Sequence, residues 1–265
     1  MKVKQNRALN KTNSEEVFVV IAMSYFSDAL VGNGLFQNIK KIYPNSKTVF
    51  IINKPYEDVA KYQKDVDETI VFDKNGEHKG ILGLIKFIRK FPYKNVKCVL
   101  KMSRKTRVDI ISLLLRPKKI VDYDEYSTIP AHKRYCNLLE KVTKAEIVYY
   151  PIVYNASDAI PNKLQNVVAK GEKHVALCAV SSNIIKDMPI QTTIELIDKL
   201  VADGYKILFV GTGDRTRQYA CDLEKNNCKF INLVDKTTIY ELAQVLRNCE
   251  GLISVDTGTM HLGYA

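Results

Sequence analysis

The sequence predicts an α/β protein of two parallel sheets, each covered by helices on both faces. Three observations carry that expectation. Short β-rich runs alternate with segments of helical period along the whole chain. The runs are apolar throughout rather than alternating, as strands buried on both faces must be. The rhythm stops once, over residues 151–173, where two prolines, asparagine, serine and lysine occur without any period, and then resumes.

Taken in order, strands are expected at Val17–Met23, Thr48–Ile52, Glu68–Phe72, Val96–Lys101 and Lys119–Asp122. The intervening amphipathic segments are Ala29–Tyr43, Tyr56–Tyr62, Ile81–Phe91, Thr106–Leu115 and Ala131–Val142. The second half repeats the pattern with strands near His174–Val180, Lys206–Val210, Lys229–Leu233 and Gly251–Val255. Its helices fall near Ile190–Ala202, Arg215–Asn226 and Ile239–Asn248. A chain of 265 residues accommodates one large or two modest domains. The aperiodic stretch sets a boundary near residue 165, giving an N-terminal domain of residues 1–165 and a C-terminal one of 166–265. Ligand groups of such sheets sit on the loops after strands, so the cleft should face the carboxyl ends of both sheets.

The longest apolar runs, such as Val17–Met23, are too short to span a bilayer. The opening MKVKQNRALNKTNSEE has no apolar core and reads as a lead-in to the first strand, not a secretory signal. Six cysteines (Cys98, Cys136, Cys178, Cys221, Cys228 and Cys249) form no CxxC or metal-like spacing, which points to buried, reduced thiols of a cytoplasmic protein. A net charge of +11 fits nucleic acid, an anionic membrane surface or a phosphorylated small molecule, and low-GC coding bias contributes to it. The lysines are spread along the chain and no zinc-finger or RNP-type pattern occurs, which argues against nucleic acid. No signal for an oligomeric state is present.

Four strand-following turns carry candidate chemistry. In Ser24-Tyr25-Phe26-Ser27-Asp28, Asp28 is either the N-cap of the next helix or a general base projecting into the cleft. Ser181, Ser182 and Lys186, ahead of Pro189, suit a phosphate: hydroxyls and amides bind oxygens while the ammonium offsets charge; a plain polar loop explains them too. Gly211-Thr212-Gly213-Asp214 begins like a dinucleotide turn but lacks the third glycine. Asp256, Thr257 and Gly258 follow a buried strand and open a helix, whose amides favour an anion, with His261 one turn on. Two DxD strings, Asp65–Asp67 and Asp122–Asp124, resemble the metal-binding pairs of some glycosyltransferases, but such pairs are common by chance. GxxxxGK[ST], HExxH and GxSxG motifs do not occur.

Together these segments resemble the ADP-heptose–lipopolysaccharide heptosyltransferase family, glycosyltransferase family 9, whose fold is GT-B. The likeness runs in order from Ser27-Asp28-Ala29-Leu30 and Lys40-Lys41-Ile42-Tyr43-Pro44, through residues 66–73 and His132-Lys133-Arg134-Tyr135, to Ser181-Ser182…Lys186-Asp187-Met188-Pro189. Its most specific part is the DTG..H element inside residues 231–262. The chain departs from the family pattern at Ser27 and Asp235 (usually glycine), Gly34 and Thr259 (usually proline) and Met188 (usually tryptophan, so packing there should loosen).

The resemblance implies an inverting transfer of heptose or a related sugar from a nucleoside-diphosphate donor, ADP-heptose, to a lipopolysaccharide-core-type acceptor. Asp28 would be the catalytic base. Ser181, Ser182, Lys186, Asp256, Thr257, Gly258 and His261 would bind the donor diphosphate, so neither a metal nor a cofactor is implied. Asp214 and Arg215 would contact the nucleoside, and Arg104, Lys105 and Arg107 would meet an anionic, lipid-linked glycan acceptor unless they are ordinary solvated charges. The implied setting is cytoplasmic, with peripheral contact at the inner membrane and no nucleic acid partner. A GT-B second domain normally continues with further helices, so the stop at Ala265, inside the helix carrying His261, implies a truncated second domain. Two other readings are a non-catalytic relative that binds sugar nucleotide and a generic Rossmann oxidoreductase, the latter disfavoured by the missing GxGxxG.

Overall fold

The computed structural model describes residues 16–124, 126, 128–168 and 171–265. The basic lead-in, residues 1–15, lies outside the described residues.

Five strands form the first sheet: β1 (Val17–Ala22), β2 (Lys47–Asn53), β3 (Glu68–Phe72), β4 (Val96–Lys101) and β5 (Lys119–Asp122). All pair in parallel in the order β3-β2-β1-β4-β5. Parallel pairing needs a crossover between strands. These are α1 (Phe26–Val31) with α2 (Asn33–Ile42), α3 (Glu57–Lys61), α4 (Gly80–Lys90) and α5 (Thr106–Leu114). After β5 come α6 (Ala131–Cys136) and two 3-10 turns, Leu139–Lys141 and Asn162–Leu164. The second sheet holds β6 (His174–Cys178), β7 (Lys206–Phe209), β8 (Ile231–Asn232) and β9 (Gly251–Ser254), again all parallel, in the order β8-β7-β6-β9. Its helices are α7 (Ile190–Ala202), α8 (Asp214–Lys225), α9 (Ile239–Arg247) and α10 (Gly258–Tyr264).

β1 shows why apolar runs without alternation form strands here. Phe18, Val20 and Ala22 point into one core and Val17, Val19 and Ile21 into the other, and all six are buried. Successive side chains of a strand face opposite sides, so double coverage requires an apolar residue at every position.

The helix expected over Ala29–Tyr43 is two. It breaks at Gly32, whose N–H bonds the carbonyl of Asp28 while its bare Cα faces the side chain of Met102; a Cβ there would overlap Met102. The helix expected over Ala131–Val142 likewise stops at Cys136. Cys221 is exposed, contrary to the expectation of buried thiols, whereas burial pushes the Cys98 and Cys136 thiols up to about 12.

The aperiodic stretch after residue 150 is packed and not loose. Ile152, Tyr154, Leu164 and Val168 are buried in a core that also contains Phe18 and Leu100 of the first sheet and Leu208 and Leu242 of the second half. Tyr62, just after α3, stacks on Tyr240 of α9 at 4.0 Å between ring centroids. Tyr154 completes the group edge-on to Tyr62. Aromatic packing of this kind contributes about 0.5–1.5 kcal/mol per pair beyond its buried area. The halves are thereby held with their strand ends facing one cleft.

Candidate active site

In doubly wound sheets ligands bind where the strand order reverses. The first sheet reverses between β1 and β4, the second between β6 and β9. The turns after these four strands carry Asp28, Arg104–Arg107, Ser181–Lys186 and Asp256–His261, so topology alone gathers most of the candidate residues. A cavity of about 820 Å³ opens there. Tyr25, Phe26, Ser27 and Tyr56 line it from the first half. Ser181, Ser182, Lys186, Asp214, Arg215, Asp256, Thr257, Gly258 and His261 line it from the second, with Gly211–Gly213 and Thr237–Ile239 completing the wall.

The turn after β6 is held by its own polar groups. Asp187 accepts from the Ser181 amide at 2.7 Å, and the Met188 amide closes the loop onto the Ala179 carbonyl at 2.9 Å. The Ser181 hydroxyl donates to the Asp256 carbonyl at 3.3 Å, joining this turn to the one after β9. Arg215 donates to the Ser181 carbonyl at 3.0 Å and pairs with Asp187. Ser181 and Arg215 therefore shape the wall, while Ser182 and Lys186 are exposed on it. Lys186 pairs with Asp256 at 2.5 Å, and that bond is the main reason the Asp256 carboxyl sits below the usual range.

Asp214 is exposed and pairs with Arg217, which also holds Asp235. Asp235 adopts the left-handed φ of 58°, which explains why glycine is usual there. Its carboxylate compensates by accepting from the Gly213 amide at 2.9 Å, fixing the turn after β7. Thr259, where proline is usual, is buried and its hydroxyl bonds the Cys178 thiol. Met188 packs against the second sheet's core and its carbonyl accepts from Tyr219 at 2.8 Å.

Asp28 is not an N-cap. Tyr25 holds that position, and Asp28 lies three residues on, in the first turn of α1, where its side chain accepts from the Tyr25 amide. This is half of a capping box. The Tyr135 hydroxyl of α6 donates to Asp28 Oδ1 at 3.0 Å. Burial raises the Asp28 carboxyl above its ordinary value, with Tyr135, the Tyr25 amide, His261 and Arg134 opposing. Asp28 itself does not line the cavity, although Phe26 and Ser27 beside it do. His261 is near enough to both Asp28 and Asp256 that its charge favours both carboxylates, one from each half of the chain.

Arg104 and Lys105 are exposed and Arg107 half-buried beyond the cavity wall. The Lys105 ammonium stands 5.8 Å from the Tyr25 ring centroid and Arg107 5.6 Å from that of Phe72. The first DxD string is engaged structurally: Asp67 accepts from the Thr48 amide at 2.6 Å and pairs with Lys40. In the second, Asp122 pairs with Lys101 at 2.5 Å.

Sequence reasoning did not single out Tyr135, Phe26 or Tyr56. For Tyr135 the only signal was its place in the segment 132–135. Thr238 had a readable signal, since Thr-x-x-Glu is a capping box, and Thr238 and Glu241 form one.

Similar folds are known. A glycosyl transferase family 9 structure from Veillonella parvula superposes with a TM-score of 0.81 at 20% identity, covering 93% of this chain and 78% of that one. E. coli ADP-heptose LPS heptosyltransferase II gives 0.72 at 13% identity, covering 93% and 81%. E. coli heptosyltransferase WaaC with ADP-2-deoxy-2-fluoro heptose gives 0.66 at 15%, covering 93% and 85%. No curated protein sequence matches. At these identities the likeness shows the fold, and the fold with its inter-sheet cleft is that of a GT-B glycosyltransferase. The model of glycosyltransferase family 9 (heptosyltransferase) matches residues 100–265, and the chain belongs to that family.

One glycine of the site is fixed by close approach. A Cβ on Gly258 would overlap the ring of Phe26, so α10 and α1 meet across the cleft only because residue 258 has no side chain. Gly258→Ala is expected to displace Phe26 and lower transfer by about tenfold to a hundredfold, the usual penalty for misplacing a reacting group by an ångström. Phe26→Ala in the same chain should restore part of the loss. Full activity of Gly258→Ala in a transfer assay would show that α1 and α10 part during turnover.

Proposed function

We propose that this glycosyltransferase moves a heptose, or a related sugar, from ADP-heptose to an anionic, lipid-linked core glycan, with inversion and without a metal. Residues 1–165 form the acceptor side and residues 166–265 the donor side. The observation that supports this best is a half-buried carboxylate, Asp28, just behind Phe26 and Ser27 of a cavity whose other wall carries Lys186, Ser182 and the Thr257–Gly258 turn, with His261 acting on both Asp28 and Asp256. Two of the solved relatives are E. coli heptosyltransferase WaaC with ADP-2-deoxy-2-fluoro heptose and with ADP, and a third is the heptosyltransferase TibC in complex with ADP-D-beta-D-heptose.

In this reading the acceptor hydroxyl attacks the anomeric carbon from the face opposite the diphosphate. Asp28 takes its proton, and a carboxyl raised by burial is the more competent base for it. Negative charge grows on the departing diphosphate and is met by Lys186, the Ser182 hydroxyl and the amides of Thr257 and Gly258. Ser181 and Asp256 hold the two turns together, and Asp214 and Arg215 stand where the nucleoside would lie. Arg104, Lys105 and Arg107 stand outside the cavity on the acceptor side. The reaction takes place at the cytoplasmic face of the inner membrane; among the described residues no helix is long and apolar enough to cross a membrane.

The test is release of ADP from ADP-heptose in the presence of a deep-core lipid acceptor, with and without EDTA. Release that persists in EDTA and needs Asp28 supports the reading. Donor binding without turnover points to a non-catalytic relative, and preference for NAD overturns the reading.

Tyr135→Phe probes the base. Tyr135 favours the charged form of Asp28, so its loss leaves burial less opposed and raises the Asp28 carboxyl further. The acid limb of the pH profile of kcat/KM is expected to move to higher pH, with the plateau rate less affected. An acid limb that does not move would show that Asp28 is not the group being titrated.

A further inference from the structure

The charge of +11 is concentrated in one part of the chain. Cations are denser there than elsewhere, and acids are scarcer. Residues 77–118 contain twelve lysines and arginines against only Glu77 and Asp109, whereas the remainder carries 28 basic and 27 acidic residues. Nearly all the net charge thus belongs to α4, β4, α5 and their loops.

The same segment bears an apolar outer face. On α4, Ile81 and Leu82 are 77% and 82% exposed and Ile85 is 39% exposed. On α5, Leu113 is 67% exposed, with Ile110 and Leu114 also open. Within each helix these positions lie three or four residues apart, so they form one stripe. The opposite sides, Leu84 and Phe87 on α4 and Val108 and Ile111 on α5, are buried in a single core against the same face of the first sheet. The two helices touch, which places both stripes on one surface. Exposed apolar patches of this extent are uncommon on soluble proteins and mark interaction sites.

The surroundings of the stripe decide what covers it. Lys79, Lys86, Arg89, Lys90, Arg116 and Lys118 are exposed around it. Of the two acids, Asp109 pairs with the buried Lys101, and Glu77 is held between Lys86 and Lys90. Protein interfaces are depleted in lysine at such a centre. Single-stranded nucleic acid is met by aromatic platforms, whereas the exposed residues here are aliphatic. Aliphatic side chains ringed by cations match a bilayer carrying anionic headgroups, the former entering the acyl boundary and the latter meeting phosphates.

We propose that the α4–α5 face docks the protein onto anionic phospholipid bilayers. This binding does not depend on the transfer reaction. If that reaction is also as proposed, the bilayer lies beside the acceptor half, which carries both helices.

Flotation of the full chain with phosphatidylcholine vesicles, with or without phosphatidylglycerol, tests the proposal. Binding is expected only with phosphatidylglycerol and should weaken with salt. Leu82→Ser with Leu113→Ser should abolish most of it. Lys79→Glu, Arg89→Glu and Lys118→Glu should each reduce it by about fivefold or more. The same reversals at Lys199, Lys225 and Lys229 in the second half should leave it unchanged, with melting curves confirming that every variant is folded. Equal binding to neutral vesicles, or no vesicle binding together with capture of duplex DNA or dimerisation through this face, overturns the proposal. Transfer to a water-soluble, delipidated acceptor should be unaffected by the leucine changes, so failure of the docking proposal and failure of the transferase reading give different results.

Discussion

Asp28→Asn is expected to reduce sugar transfer by about 10²–10⁴-fold, the usual contribution of a positioned general base, without destabilising the protein. The first half of that expectation follows from chemistry: an amide cannot accept the acceptor's proton. The second follows from burial. Desolvation raises the Asp28 carboxyl despite the bonds from Tyr135 and the Tyr25 amide. A carboxyl raised in the folded state stabilises the fold while protonated, and that stability is lost as pH rises through the folded value. At neutral pH the ionised side chain therefore works against folding. Asparagine keeps the shape and can still accept from Tyr135, but carries no charge to desolvate. Its melting temperature at neutral pH should equal or exceed that of the parent, and the difference should shrink in acid. Activity that survives in Asp28→Asn would move the base elsewhere. A variant that melts well below the parent would show that the Asp28 charge helps hold α1 to α6.

Much of this architecture was legible because parallel strands buried on both faces leave a strong local trace. Val17–Ala22 is wholly apolar and the other strands have apolar centres with charges mostly at their ends, and the helices between them have one apolar side; both signals survive without knowledge of partners. What could not be read depends on contacts between distant positions. The first helix divides at Gly32, where a Cβ would overlap Met102 from the turn after β4. Tyr135 meets Asp28 across 107 positions, and Lys186 meets Asp256 across 70. Asp28 was legible as a candidate, but its place within the helix was not. Asp at N-cap and Asp three residues on both satisfy helix-end amides, and only the backbone of Tyr25 distinguishes them. The cationic segment was missed for a different reason. The total charge conceals it: residues 77–118 hold 12 of the 40 basic residues and 2 of the 29 acids, which only a count by segment shows.

Lys186→Met is expected to weaken donor binding by roughly 10²-fold, with a further fall in kcat. Lys186 stands on an exposed turn after β6, and its partner before the donor arrives is Asp256, 2.5 Å away. In the proposed donor site an entering diphosphate takes the ammonium from that carboxylate, so donor binding exchanges one ion pair for another. Charge-assisted bonds contribute about 1.5–3 kcal/mol each, which corresponds to roughly ten- to a hundredfold in affinity. Removing Lys186 loses that bond and also leaves Asp256 unpaired, facing an anion. The two effects act in the same direction, which places the expected loss near the upper end. They are separable: Asp256→Asn in the Lys186→Met chain removes the repulsion and should restore part of the affinity. The kcat fall follows because charge on the departing diphosphate is greater in the transition state than in the bound donor. Stability should hardly change, since both side chains are about half exposed and such pairs contribute about 0–1 kcal/mol. Calorimetric titration with ADP beside a melting curve checks both statements. Unchanged ADP affinity in a folded Lys186→Met protein would place the diphosphate on another wall of the cavity.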